Sequence, residues 1–128
     1  MAYHNLYDSW AWLGGHADGE KDLLKVAIKE VKEESGLSDV VPVVEDVYSV
    51  EILAVSGHYK KGKYVPSHLH LNLTYLLEAD ENEPLTVKPD ENSQVGWFTP
   101  EGAIEASKEE WFKEHIYTKL NEKLEQYR

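Results

Sequence analysis

The stretch from Gly14 to Leu37 constrains the fold more than any other part of the chain. It reads GGHADGEKDLLKVAIKEVKEESGL, and its apolar residues recur at the spacing of one helix face. Three carboxylates, Glu30, Glu33 and Glu34, stand three and four residues apart, so a helix brings them within about one turn of each other. Each like-charged pair costs an isolated helix about 0.2–0.5 kcal/mol. We therefore expect either full solvation of the three carboxylates or a cation between them.

The sequence predicts that this helix runs from about Glu20 to Ser35. Negative charge at Glu20 and Asp22 favours the first turn of a helix, and Gly36 supplies the left-handed residue that often ends one. The apolar stripe and the lysines lie on opposite sides, with the carboxylates at the margin between them. The stripe consists of Leu23, Leu24, Ala27, Ile28 and Val31. We expect the carboxylates to line the floor of a cleft.

The same stretch resembles the signature of the Nudix hydrolase superfamily. That signature reads Gly, five residues, Glu, seven residues, Arg-Glu, an apolar residue, any residue, Glu-Glu, any residue, Gly and an apolar residue. This chain keeps the spacing with Gly15, Lys21, Lys29-Glu30, Val31, Glu33-Glu34 and Gly36-Leu37. Lys21 replaces the first Glu and Lys29 replaces the Arg. Lysine keeps the positive charge at position 29 but lacks the guanidinium fork that orients carboxylates.

The resemblance implies an α/β fold, more closely an α/β/α sandwich with a mixed sheet between the signature helix and the C-terminal helix. Nudix domains similar to this one carry a strand and a hairpin before the equivalent of Met1-Ala2-Tyr3, so we expect this chain to lack the first part of that sheet. At 128 residues with 41% hydrophobic content, residues 1–128 should form a single domain with one core.

The resemblance also implies a reaction, the Mg²⁺- or Mn²⁺-dependent hydrolysis of a phosphoanhydride bond in a small diphosphate substrate. A nucleoside diphosphate linked to another group is the favoured substrate. Glu33 and Glu34 are the main candidate metal ligands, with Glu30 as a further ligand or orienting residue and Gly15 as a carbonyl donor. Glu91 is the candidate water-activating base or outer ligand, with Asp90 as its substitute. Catalytic candidates are thus Glu30, Glu33, Glu91 and Lys29.

A catalytically inactive Nudix-like module for ligand sensing or protein binding is the alternative. The lysines at positions 21 and 29 favour it, whereas retention of all three glutamates favours the enzyme. A superfamily isomerase acting on isoprenoid diphosphates is disfavoured, because that chemistry uses a cysteine and this chain has none. Disulfides and thiolate metal sites are excluded for the same reason.

Two further segments supply candidate substrate contacts. The loop from Ser56 to Pro66 gathers lysines among tyrosines, which predicts a hairpin able to reach a phosphate or stack a base, or alternatively a lysine-protected hairpin tip. Residues 67–75 alternate as a strand that puts His68, His70, Asn72 and Thr74 on one face. We interpret that face as a polar cleft wall; a half-exposed strand with its polar residues outward is the alternative. The candidate substrate-binding residues are His16, Lys60, Lys61, His68 and His70.

The remaining segments have simpler patterns. We expect an extended segment Met1 to Trp12 with a bend at Tyr7-Asp8, a connector 38–42, strands over 43–55, 85–88 and 95–98, a helix opened by Thr99-Pro100, and a last helix with a Ser107/Glu110 capping box. The last helix carries a stripe of Phe112, Ile116, Leu120 and Leu124.

Charge and hydropathy bound the partners. The net charge of −11 repels phosphate backbones, so we expect a small phosphoanhydride substrate and no polynucleotide. No apolar run approaches membrane-spanning length, and the N-terminus lacks a signal pattern, which favours a cytoplasmic protein without a membrane partner. The sequence leaves a monomer and a homodimer open.

Overall fold

The structure is a computed structural model that describes residues 1–90 and 92–127. Nine strands are described: β1 (Ala2–His4), β2 (Ser9–Ala11), β3 (Val40–Pro42), β4 (Ser49–Val55), β5 (His58–Lys60), β6 (Lys63–Val65), β7 (His68–Thr74), β8 (Leu77–Ala79) and β9 (Asn92–Val95). The helices are α1 (Leu23–Ser35), α2 (Pro100–Ala106), α3 (Glu110–Phe112) and α4 (Thr118–Leu124). A π-helical turn, Lys113–Tyr117, joins α3 to α4, and a 3₁₀ turn, Glu125–Tyr127, follows. We call residues 110–124 the C-terminal helix.

The α/β class is confirmed, since about 30% of residues are helical and 29% are in strands. The strands form four antiparallel groups, in the orders β2-β1-β9, β3-β8, β4-β7 and β5-β6. The expectation of a mixed sheet is wrong for the described residues, because every pairing among them is antiparallel. Turns as short as residues 5–8 and 61–62 join sequential strands, and such turns connect only antiparallel neighbours. No helix among the described residues is long and apolar enough to cross a membrane.

Helix α1 begins later than its charge pattern predicts. Asp22 is the N-cap residue, and its side chain accepts a hydrogen bond from the Lys25 backbone N–H. Glu20 therefore lies outside the helix, where its carboxylate accepts from the Asp22 backbone N–H. The C-terminal end is where the sequence places it: Gly36 has a φ of 77°, and its N–H donates to the Lys32 carbonyl. The side-chain cap at Asp22 sets the start of the helix, and the acid two residues earlier, Glu20, stays outside it.

Several other helices and strands begin or end at residues different from those that the sequence predicts. Residues 1–12 form a hairpin with its turn at residues 5–8, which includes the predicted bend. Part of the expected connector 38–42 is β3, which pairs with β8, and residues 43–46 bend before β4 starts. Residues 85–88 form no strand, although the Thr86 N–H donates to the Ser35 carbonyl. Strand β9 ends before the predicted Gly96-Trp97-Phe98 portion.

The β4–β7 pair has its polar face turned inward. Each residue of β4 stands opposite one of β7, with Glu51 opposite Asn72, Ile52 opposite Leu71 and Leu53 opposite His70. Ser49, Glu51 and Leu53 are buried, whereas Ile52 and Leu71 are 66% and 71% exposed. The alternative with polar residues outward is therefore wrong. We call the outward side, Val50, Ile52, Ala54, Leu69, Leu71 and Leu73, the apolar face.

A buried carboxylate explains this inversion. Glu51 accepts hydrogen bonds from Ser49 Oγ at 2.7 Å and from Asn72 Nδ2 at 3.2 Å, and it forms an ion pair of 2.8 Å with Lys119 of the C-terminal helix. Nearby, the Tyr48 hydroxyl donates to the Leu120 carbonyl at 2.6 Å. These polar contacts bind the inner face of the pair to the helix, since a buried carboxylate must be hydrogen-bonded.

The C-terminal helix contributes the centre of the core. Ile116 and Tyr117 are buried with Leu53, as the apolar stripe predicts for Ile116. Partly buried side chains surround them, namely Met1, Trp12, Ile104, Phe112 and Leu120. Thr99 caps α2 as predicted. The predicted capping box is wrong, because Ser107 Oγ accepts from the Glu109 N–H and the helix starts at Glu110 without a side-chain cap.

The hydrogen bonds of Glu51 make the stability of the fold depend on pH. Burial of Glu51 opposes its ionisation, but the hydrogen bonds from Lys119, Ser49 and Asn72 outweigh burial and hold the pKa of Glu51 below its ordinary value of 4.5. A lowered pKa stabilises the fold fully above about pH 4.5, and that contribution is lost as the pH falls through the folded-state pKa.

We expect Glu51→Gln to lower the free energy of unfolding by about 1–2 kcal/mol near neutral pH, because Lys119 loses its charged partner. Between about pH 5 and pH 3 the variant should lose stability less steeply than the wild type. Urea denaturation at several pH values measures both effects. Glu105→Gln, at an exposed position on α2, is the matched control and should follow the wild type. Parallel pH profiles for Glu51→Gln and the wild type would contradict the assignment.

Candidate active site

Glu34 lies at the junction of α1, the Gly14-Gly15 loop and β9. Its side chain is buried, with the Gly14 N–H donating to Oε1 at 2.9 Å and Asn92 Nδ2 donating to Oε2 at 3.2 Å. The amino group of Met1 is also near: its burial lowers the pKa of that amino group, and the charge of Glu34 raises it. The Gly14 and Asn92 hydrogen bonds fix the loop relative to the helix and β9.

Glu30 lies one turn before Glu34 and packs on Gly15. A Cβ added at Gly15 would overlap the Glu30 carboxylate, so the absence of a side chain at residue 15 is what lets the two meet. Among the described residues, this carboxylate has no hydrogen-bond or ion-pair partner. Glu30 is half-buried, and an unpaired carboxylate in such a place is able to take up a cation.

Glu33 pairs with two lysines. Its carboxylate oxygens lie 3.7 Å from Lys29 Nζ and 3.7 Å from Lys88 Nζ, and its side chain is 41% exposed. Successive helix residues are rotated by roughly 100°, which separates Glu33 from Glu34 around the axis. The three carboxylates therefore have different partners, and Glu33 is the one that lies between lysine ammonium groups.

The donor groups fit a divalent cation held by few protein ligands. No group of three or more His, Cys, Asp or Glu side chains within residues 1–90 and 92–127 is arranged to hold a metal ion. Mg²⁺, however, usually keeps several waters and binds through one or two carboxylates together with substrate phosphates. Glu30 provides an unpaired hard oxygen donor, and Gly15 and Glu34 adjoin it. The candidate base Glu91 lies outside the described residues, and Asp90 is exposed.

Three of the predicted substrate-binding histidines form a cluster. The ring of His70 lies 5.3 Å from that of His16 and 4.6 Å from that of His68, measured between centroids. His68 Nδ1 lies 2.8 Å from the Pro66 carbonyl, and because a carbonyl only accepts, this nitrogen carries the proton. In neutral His68 the Nε2 atom then accepts from His70 Nε2, 2.8 Å away.

The histidine cluster connects the Gly14-Gly15 loop to the inner face of β7. Burial lowers the pKa of His70, and the nearby charges of His68 and His16 lower it further. A neutral His70 ring near pH 7 fits the hydrogen bond that it shares with His68. The cluster lies beside the loop that carries Gly15, and the role of this face as a cleft wall stays a prediction.

The predicted lysine contacts lie apart from this cluster. Lys60 stands opposite Lys63 in the β5–β6 hairpin, whose two-residue turn is formed by Lys61 and Gly62, with φ values of 51° and 78°. Such a turn requires a left-handed conformation at both residues. The hairpin prediction is confirmed, and both candidate side chains, Lys60 and Lys61, are exposed at its tip.

Two site residues carried no usable signal in the sequence. Asn92 is buried and donates a hydrogen bond to Glu34, but in the sequence nothing distinguishes it from any other polar residue of a loop. Lys88 pairs with Glu33 from a segment that the sequence predicts as a strand. Both contacts depend on how β9 and the preceding loop cross α1, which the local sequence pattern does not report.

Comparison with known proteins identifies the family. The family model of the NUDIX domain matches residues 3–120, so the chain belongs to the Nudix family. Members of this family generally hydrolyse acid anhydrides and typically use divalent metal ions such as Mg²⁺. A comparison with curated proteins finds no match.

Gly15 and Gly14 provide a matched pair of variants. Gly15→Ala should displace the Glu30 carboxylate and weaken Mn²⁺ binding by about tenfold or more, because the metal loses a charged donor. The free energy of unfolding should change by less than about 1 kcal/mol, because only a flexible side-chain end must move. Gly14→Ala meets no atom within 4 Å, keeps its N–H and should bind Mn²⁺ like the wild type.

Calorimetric titration with Mn²⁺ measures the binding of all three proteins. Equally weakened Mn²⁺ binding in both variants would show that any change in the loop has this effect. Unchanged Mn²⁺ binding in Gly15→Ala would show that Glu30 is not a metal ligand.

Proposed function

We propose that this protein hydrolyses a phosphoanhydride bond in a small nucleoside-diphosphate-linked or related diphosphate, with Mg²⁺ or Mn²⁺ as cofactor. The observation that carries the proposal is the unpaired Glu30 carboxylate seated against Gly15, in a chain of the Nudix family. Hydrolysis of a phosphoanhydride needs positioning and charge neutralisation more than covalent chemistry, which suits a site of carboxylates and backbone groups.

Glu30 would hold the divalent cation, with the Gly15 carbonyl and Glu34 as the adjoining donors. When bound, the cation neutralises phosphate charge and polarises the bond to be broken. Glu34 has a second role in this proposal, because its hydrogen bonds from Gly14 and Asn92 hold the loop in place. This arrangement supports a site that keeps its geometry before the substrate arrives.

Glu33 and Lys29 take different roles in this proposal. Glu33 has a side chain that is 41% exposed, and Nζ atoms of Lys29 and Lys88 each lie 3.7 Å from one of its carboxylate oxygens. It would act as an outer metal ligand or orient the attacking water, with Lys29 as its positioning residue. Glu91 remains the proposed water-activating base.

The substrate would extend from the carboxylates along the histidine wall. His16, His68 and His70 offer ring faces and nitrogens for a base, a sugar or a phosphate, and Lys60 and Lys61 add positive charge at the hairpin tip. The overall charge of −11 supports a small substrate whose phosphate charge is neutralised by a divalent cation. It does not favour a polynucleotide. We further propose that residues 1–128 act as one domain, in the cytoplasm and without a membrane partner.

Incubation with Mg²⁺ and a substrate panel tests the reaction. Suitable members are nucleotide sugars, dinucleoside polyphosphates, deoxynucleoside triphosphates and oxidised nucleotides, with released phosphate or nucleotide measured by chromatography. Turnover of at least one member is expected. A protein inert toward every member, with bound Mg²⁺ verified, would count against the enzyme.

Isosteric substitutions separate the roles of the glutamates. Glu30→Gln should lower turnover of the identified substrate by at least about 100-fold, since it removes ligand charge and keeps size. Glu33→Gln should also lower turnover strongly, yet change metal-free stability by less than about 1 kcal/mol, because its ion pairs are partly exposed. Glu34→Gln should instead cost about 1–3 kcal/mol of stability through its buried hydrogen bonds.

Glu122→Gln, an exposed position on the C-terminal helix, is the control for these variants. Chemical denaturation in chelator and steady-state kinetics give the two readouts. A sharp loss of metal-free stability in Glu33→Gln would make that carboxylate structural and overturn its role in the reaction.

A ligand-sensing or protein-binding module is the second candidate function. The pairing of Glu33 with Lys29 and Lys88, together with Lys21 in the signature, favours it. Such a module would bind a nucleotide or diphosphate without turnover, and Glu33→Gln would leave that binding unchanged. Binding and turnover measured on the same panel distinguish the two functions.

A further inference from the structure

The apolar face of the β4–β7 pair is an unusual surface for so acidic a protein. Val50, Ile52, Leu69 and Leu71 are 54%, 66%, 70% and 71% exposed. They belong to three facing pairs that contain no polar side chain: Val50 with Leu73, Ile52 with Leu71, and Ala54 with Leu69. Large exposed apolar residues that are contiguous mark an interaction surface more often than scattered ones do.

The fold explains why these apolar side chains face outward although water does not favour their exposure. The polar side chains of both strands lie on the inner side, where Asn72 donates a hydrogen bond to Glu51 and Glu51 pairs with Lys119 of the C-terminal helix. A one-residue slip of register would expose the polar set and bury the leucines, but it would also break this network. The leucines are therefore held outward by the fold.

The two ends of the face carry opposite charge. At the β4 C-terminal end, the β5–β6 hairpin exposes Lys60, Lys61 and Lys63. At the β4 N-terminal end, the bend before the strand exposes Glu45 and Asp46. None of these five side chains has an ion-pair partner among the described residues. A strand of seven residues separates the two ends by roughly 20 Å.

We propose that the apolar face binds the same face of a second copy of this chain. Two such faces stack as sheets do, about 10 Å apart, around a two-fold axis that lies between them and runs across the strands. This axis reverses the strand direction, so the lysine end of one copy meets the Glu45-Asp46 end of the other. The axis parallel to the strands would instead place lysines against lysines, and like charges disfavour it.

Removal of the leucines tests the apolar contact. Leu69→Thr/Leu71→Thr replaces the leucines with a polar residue that is also frequent in strands, and it should weaken dimerisation by at least about 100-fold. Val41→Thr/Val43→Thr changes two exposed valines outside the face and should leave dimerisation unchanged. Sedimentation equilibrium from about 1 µM to 1 mM gives the dissociation constants, and circular dichroism verifies that each variant is folded.

Charge reversal tests the orientation. Glu45→Lys/Asp46→Lys makes the chain less acidic, so simple repulsion between copies would predict a tighter dimer; the proposal predicts one weaker by about tenfold or more. Lys60→Glu/Lys61→Glu should weaken it as well, and more than Lys21→Glu/Lys25→Glu, which changes net charge equally at exposed positions elsewhere. The four-residue swap that combines both reversals should restore dimerisation to within about threefold of the wild type.

A wild type that stays monomeric up to about 1 mM overturns the proposal, and binding of that monomer to vesicles of neutral lipid would assign the face to a lipid surface. A dimer that the Leu69→Thr/Leu71→Thr variant leaves intact also overturns it, as does tighter dimerisation of Glu45→Lys/Asp46→Lys. None of these outcomes depends on turnover, so the proposed reaction and the proposed dimer succeed or fail separately.

Discussion

The buried carboxylate of Glu34 is the contact on which the candidate site depends. It joins the Gly14-Gly15 loop, helix α1 and strand β9 through hydrogen bonds from Gly14 and Asn92. Burying a carboxylate is costly unless its oxygens are satisfied, so these partners must be in place for the fold to be stable. Once they are, Gly15 is set against Glu30, and the unpaired carboxylate has a fixed position beside the loop.

A second buried carboxylate organises the other half of the molecule in the same manner. Glu51 draws Lys119 and Asn72 to the inner side of the β4–β7 pair, and the leucines of β7 are left outside. The histidines share the inner side with Glu51, which is why His68 and His70 lie next to His16 of the loop. The network thus produces both the polar wall near the site and the exposed apolar face on the opposite side.

The three glutamates of α1 show how tertiary contacts give different environments to residues of the same charge. Glu30, Glu33 and Glu34 repel one another in any helix, and the fold separates their environments: Glu34 is hydrogen-bonded inside, Glu33 is neutralised by Lys29 and Lys88, and Glu30 remains unpaired. Three residues with the same chemistry therefore have three different capacities. The unpaired carboxylate of Glu30 is enough to begin a divalent cation site, because such a cation keeps waters and substrate oxygens as its other ligands.

By itself, the sequence determined what depends on near neighbours: the helix that ends at Gly36, the Lys61-Gly62 hairpin, the cap at Thr99 and the spacing that resembles the Nudix signature. These features follow from backbone preferences and short-range periodicity, which a linear pattern records. The tertiary structure alone decided which face of β4–β7 is buried, and that Asn92 and Lys88 contact Glu34 and Glu33. Those outcomes rest on partners that are distant in the chain, such as Asn72 for Glu51 at 21 residues and Asn92 for Glu34 at 58 residues. A buried charge is satisfied by whichever polar group the fold brings to it, and alternation along one strand contains no record of that group.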